Sequence, residues 1–140
     1  MKFRSEVGGR VTGLRFWKGA TNTGTHVGHL WSANGALLGT VTFTNETASG
    51  WQTATFAAPV TISANTAYVV SYRAPNGSYA FTRNYFTADR ANGTMHGLAE
   101  GVSGHNGAYL TGAAGGFPSY GYQSSNYWVD VTFAPTGTGT

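Results

Sequence analysis

Apolar and polar residues alternate one for one in short runs along this sequence, and no stretch of helical length keeps an apolar repeat near ~3.6 residues. Side chains in a strand point to opposite faces in turn, so each run divides into two rows. Leu14 and Phe16 make one row, with Arg15 and Trp17 behind them. Leu30 opposes His29 and Trp31. Ala54 and Phe56 oppose Trp51, Thr53 and Thr55. Tyr68, Val70 and Tyr72 align, and Val129, Val131 and Phe133 oppose Trp128, Asp130 and Thr132. The runs predict strands near residues 2–6, 10–18, 26–32, 37–45, 51–56, 66–73, 79–83 and 127–133. Ala33-Asn34-Gly35 and Asn76-Gly77 read as tight turns, and Pro59 and Pro75 are expected between strands, where a missing N–H does no harm. A short helix is expected at Met95–Gly101 within an irregular region from Ala88 to Gly116.

Strands of this number and pattern predict an all-β fold, an antiparallel two-sheet β-sandwich of jelly-roll-like form, with an immunoglobulin-like sandwich as the alternative. The expected core is Leu14, Phe16, Leu30, Leu38, Phe56, Tyr68, Val70, Val129, Val131 and Phe133. One domain over residues 1–134 is expected, followed by a linker-like tail, PTGTGT, at residues 135–140. The start MKFRSE reads as an excised domain behind an added methionine.

Charge bears on partners. Only 9% of the residues are charged, against roughly 25% in an average domain, and the eight basic residues are scattered. A clustered basic stripe for tracking phosphates is missing, so nucleic acid is not an expected partner. Cysteine is absent, which removes disulfides and thiolate chemistry, and no apolar run approaches membrane-spanning length.

Catalysis finds little support. The five acids, Glu6, Glu46, Asp89, Glu100 and Asp130, show no spacing that singles out a glycosidase pair. Asp130 reads as a cross-strand partner of Arg15. His26, His29, His96 and His105 form no HExxH or HxxEH motif, and no GxSxG elbow occurs. His26 is expected to bond a loop carbonyl where its strand begins. No cofactor is expected; Asp89 with Asn84 and Asn92 is the one candidate structural calcium set, set against a plain Asn/Asp turn.

The aromatic residues carry the strongest functional signal. Trp17, Trp31 and Trp128 fall opposite the core row of their strands, where an indole needs a cover: a folded-back loop or a ligand. Tyr120 and Tyr122 sit in a Gly/Ser-rich loop with Gln123 and Asn126 nearby, and Tyr85 belongs to a similar loop. Apolar ring faces flanked by neutral amides and hydroxyls suit an uncharged sugar. The expected ligand-binding set is therefore Trp17, Trp31, Tyr85, Tyr120, Tyr122, Gln123, Asn126 and Trp128.

The segments KFRSEVGGRVTGLRFWKG, NTGTHVGHLW, TFTNETASGWQ, ANTAYVVSY and GGFPSYGYQSSNYWVDVTF together resemble the bacterial family designated domain of unknown function 4082. That resemblance implies an extracellular module of large secreted proteins, beside fibronectin-like, immunoglobulin-like and carbohydrate-active domains, and brings no catalytic residues with it. Together these readings give the expectation of a non-catalytic, secreted carbohydrate-binding accessory module. Its expected partners are a polysaccharide or glycan and the neighbouring domains of a larger chain, with no membrane or nucleic acid. A structural or adhesive spacer and a small hydrolase stand as rivals.

Overall fold

The structure, a computed structural model, describes residues 1–73, 85–88, 90–92, 95–98, 108–109, 120–121 and 129–135. In chain order the strands are β1 (Lys2–Ser5), β2 (Gly9–Lys18), β3 (Val27–Ser32), β4 (Leu37–Thr42), β5 (Gly50–Ile62) and β6 (Tyr68–Arg73). After a 3-10 turn at Tyr85–Thr87 follow β7 (Arg90–Asn92), β8 (Met95–Gly97), β9 (Ala108–Tyr109), β10 (Tyr120–Gly121) and β11 (Val129–Pro135). One sheet has six strands in the order β4-β3-β6-β1-β8-β7 and a second has three in the order β11-β2-β5, while β9 and β10 pair with each other. All of these pairings are antiparallel. The chain crosses between the two larger sheets at β1–β2, β2–β3, β4–β5 and β5–β6, as jelly-roll sandwiches do.

The expected rows meet between the sheets. Leu14 and Phe16 of β2, Phe56 and Ile62 of β5, and Val129 and Val131 of β11 pack with Phe3, Leu30, Tyr68 and Val70 of the larger sheet. Tyr68 lies in this cluster with its hydroxyl accepting from Ser63 N–H at 2.9 Å, so the phenol stays polar-satisfied at the edge of an apolar core. Phe133 is partly buried against the same cluster.

Leu38 is not inside. It is exposed, as is Leu37, because Gly39 and Val41 occupy the inner face of β4 instead. A Cβ on Gly39 would lie 3.1 Å from side-chain atoms of both Phe56 and Val60, so glycine there lets those two residues fill the space. The β3–β4 register shifts between Leu30 and Trp31, where the hairpin enters its turn. In that turn Gly35 takes a φ of 90° and its N–H donates to Ser32 O at 3.0 Å. Gly35 alone of the Asn34-Gly35 pair supplies the left-handed conformation.

Three boundaries differ from the expected ones. Pro59 lies within β5, at the place where the β2–β5 register shifts between Val11/Val60 and Gly13/Thr55. β5 is an edge strand, and an irregularity at an edge accepts a residue that cannot donate a ladder bond. Met95–Gly97 is a strand paired to β1, not the start of a helix. Pro135, expected to open the tail, is the last residue of β11 and pairs with Gly9. The expected strand at residues 79–83 and the Asn76-Gly77 turn lie outside the described residues.

Candidate functional site

The outer face of the three-stranded sheet follows directly from the core row. With Leu14 and Phe16 turned inward, Arg15 and Trp17 turn outward, and the ladder brings a partner to each. Trp17 lies opposite Trp51, and Arg15 opposite both Thr53 of β5 and Asp130 of β11. The two indoles sit with centroids 5.6 Å apart and planes at 82°, an edge-to-face pair. They remain 43% and 41% exposed, the only tryptophans among the described residues to do so. The Arg15 guanidinium lies 4.5 Å over the Trp51 ring and donates to Asp130 Oδ2 at 3.1 Å. Asp130 Oδ1 accepts the Val131 N–H at 2.7 Å. Arg15 Nε is covered and has no hydrogen-bond partner among the described residues. The result is a half-open surface of two indoles beside a neutralised ion pair.

On the inner side of β2, beside Phe16, lies a largely buried polar cluster. The loop between β4 and β5 carries Glu46, whose Oε1 contacts His26 Nδ1 at 2.8 Å and Lys18 Nζ at 3.2 Å. His26 is fully buried, and its Nε2 lies 2.8 Å from Asn22 Oδ1. Its partners are thus side chains of two neighbouring loops, where a loop carbonyl was expected. Burial alone would raise the Glu46 carboxyl, but hydrogen bonds from His26 and Lys18, and their charges, overcome it and hold the group below its ordinary value. Gln52, one residue after Trp51, is buried and ties the same loop down: its Oε1 accepts Thr47 N–H at 2.8 Å, and its Nε2 donates to Thr47 Oγ1 at 2.7 Å and Gly50 O at 3.1 Å. Trp51 therefore starts from a fixed loop, while its own ring is left open.

The remaining expected ligand residues separate into four outcomes. Trp31 is buried, at 8% exposure; its Nε1 donates to Ser71 Oγ at 2.9 Å and its ring stacks on His29 at 5.4 Å. It lies opposite Leu30 on the outer face of the six-stranded sheet, beside the buried Val69, and Trp31 is a packing residue. Burial also lowers the His29 imidazole from its ordinary value. Tyr85 is half-buried in the 3-10 turn, where Arg90 lies 4.4 Å over its ring and donates from Nε to the Tyr85 carbonyl at 2.8 Å. One of its ring faces is therefore occupied within the chain.

Tyr120, expected on a free loop, has its backbone in β10, paired with Tyr109. Tyr122, Gln123, Asn126 and Trp128 lie outside the described residues, as do Asn84 and Asp89 of the candidate calcium set. Only Trp17 of the expected set stands open among the described side chains, and the structure adds Trp51 to it. The signal for Trp51 was present in the alternation that sets Trp51, Thr53 and Thr55 opposite Phe56.

An antiparallel β-sandwich with an open aromatic rung on its smaller sheet defines the class of module. The chain belongs to the family described as Domain of unknown function (DUF4082), which it matches over residues 1–129. No curated protein and no solved structure matches it.

Proposed function

We propose that the protein is a non-catalytic carbohydrate-binding accessory module of a secreted, multidomain bacterial protein, and that it binds neutral glycan through the outer face of its three-stranded sheet. The observation that carries this reading is the exposed Trp17–Trp51 pair beside Arg15 and Asp130. Indole faces favour the apolar C–H faces of sugar rings, and a carboxylate and a guanidinium side by side supply an acceptor and donors for hydroxyls. Arg15 and Asp130 neutralise one another, so the face favours an uncharged ligand over phosphate or cation.

Affinity electrophoresis tests this directly. The protein runs through gels containing soluble neutral polysaccharides: mixed-linkage β-glucan, xylan, galactomannan and xyloglucan. Retardation by at least one of them, lost in Trp17→Ala and in Trp51→Ala while the melting temperature holds within a few degrees, is the expected result. Migration unchanged by every gel leaves the spacer reading in its place.

A further inference from the structure

Building on that reading, we propose that the Trp17–Trp51 corner accepts one sugar ring at a time from a soluble chain, and that the Arg15–Asp130 pair reads two neighbouring hydroxyls of that ring. The shape of the indole pair is the first reason. Rings that dock onto the flat face of an ordered polysaccharide must lie in one plane. Trp17 and Trp51 are perpendicular, at 82°, and their centroids are only 5.6 Å apart. They form a corner, in which a sugar stacked on one indole meets the other edge-on. The Arg15 guanidinium already covers one face of Trp51 at 4.5 Å, which narrows the contact further.

The second reason is what stands one step along the strand. Arg15 and Trp17 are two residues apart on one face of β2, a spacing of about 7 Å. A ring seated at the corner thus brings its hydroxyl edge beside the ion pair. Arg15 and Asp130 are both half-exposed and bonded to each other at 3.1 Å. Their remaining valence is large. Each Asp130 oxygen accepts one bond and keeps a second lone pair. The guanidinium carries five N–H donors; the bond to Asp130 uses one and the Nε–H is covered, which leaves the others, on the two terminal nitrogens. Two adjacent hydroxyls offer an oxygen to the guanidinium and a proton to the carboxylate at once. A flat ordered surface would have to rest on this half-open ion pair and on two crossed indoles together, and would satisfy neither.

The test sets soluble chains against ordered ones. Titration calorimetry with the hexasaccharides of cellulose, xylan, mannan and chitin is run beside pull-down with crystalline cellulose and crystalline chitin powders. The expected result is saturable binding to at least one soluble hexasaccharide and no retention on the powders. Asp130→Asn and Arg15→Lys should then weaken binding about tenfold or more, the scale of losing a hydrogen bond to a charged group, in variants that stay folded and whose melting temperatures fall by no more than a few degrees. Retention on crystalline powder that Trp51→Ala removes would overturn this inference and leave the glycan reading standing. Soluble binding that both ion-pair variants leave intact would overturn the reading of paired hydroxyls. No binding to any soluble chain or powder would overturn the inference together with the reading beneath it.

Discussion

Phe16 and Trp17 are neighbours in sequence and opposites in circumstance. Phe16 is fully buried: it stacks on Tyr72 at 4.4 Å, meets Phe43 edge-on at 4.8 Å and lies 4.7 Å from His26. Trp17, on the other side of the same strand, makes an edge-to-face contact with one indole and keeps 43% of its surface exposed. The inner cluster joins both sheets; the outer one joins only β2 to β5. Its openness is not looseness, since the buried Glu46 and Gln52 contacts fix the loop from which Trp51 emerges. The contrast separates an aromatic cluster that holds the fold from one that the fold holds in place.

The largest expected effects fall on the inner side. Phe16→Ala removes a ring packed on three others and should cost about 3–5 kcal/mol, read as a shift of the urea midpoint. Trp51→Ala, on the open face, should cost no more than about 1 kcal/mol, the scale of a cross-strand pair. Equal losses in the two variants would break the comparison.

Next comes the polar group of Glu46, His26 and Lys18 beside Phe16. Glu46→Gln removes the charge that His26 and Lys18 address, and a hydrogen bond to a charged group is worth about 2 kcal/mol. The pH dependence follows from the lowered carboxyl. A depressed folded value means that the unfolded chain binds the proton more readily. Stabilisation is therefore complete above the ordinary value of 4.5 and is lost as pH falls through the lower folded one. The gap in stability between the native protein and Glu46→Gln should be widest near neutral pH and close as the solution is acidified below that value. A gap that stays constant with pH would show that Glu46 acts by packing alone.

The sequence made the inner side far more legible than the outer. Period two placed Leu14, Phe16, Leu30, Val70, Val129 and Val131 correctly, because a row buried between two sheets has one physical reason to be apolar. It failed at Leu38, since nothing local reveals that Gly39 and Val41 take the inner face, with Gly39 leaving room for Phe56 and Val60. The Arg15–Asp130 pair was readable from charge and alternation. Trp31 was not, because alternation tells which face a residue takes but not whether that face is covered. Trp51 carried the same alternation as Trp17, but only the ladder that sets residue 51 opposite residue 17 makes them a pair. The Glu46–His26–Asn22 cluster joins two loops across the β3–β4 hairpin, and no spacing announces it.

Asp130→Asn is a smaller perturbation. Its ion pair with Arg15 is half-exposed and should contribute no more than about 1 kcal/mol. A modest fall in the urea midpoint is expected, with no hydrolytic turnover of glycans in the native protein for the substitution to remove. Turnover in pure native protein, lost in a folded Asp130→Asn variant, would transfer the outer face from binding to catalysis.

The smallest effect sharpens the comparison most. A double-mutant cycle on Trp17 and Trp51 isolates the coupling of the two indoles from the area each buries alone. For an edge-to-face pair on an open sheet surface the coupling should be about 0.5–1 kcal/mol. The matching cycle on Phe16 and Tyr72 crosses from one sheet to the other, so each single truncation leaves a cavity that the second enlarges or relieves, and its coupling should be larger. Saturating either protein with a glycan that binds adds a further reading. Ligand should raise the stability of the native protein and of the inner-pair variants that still fold, because it binds only the folded state. It should leave Trp17→Ala/Trp51→Ala where it was. An outer coupling as large as the inner one, insensitive to every glycan, would make the tryptophan pair a clasp of the sheet and remove the reason to regard that face as a binding site.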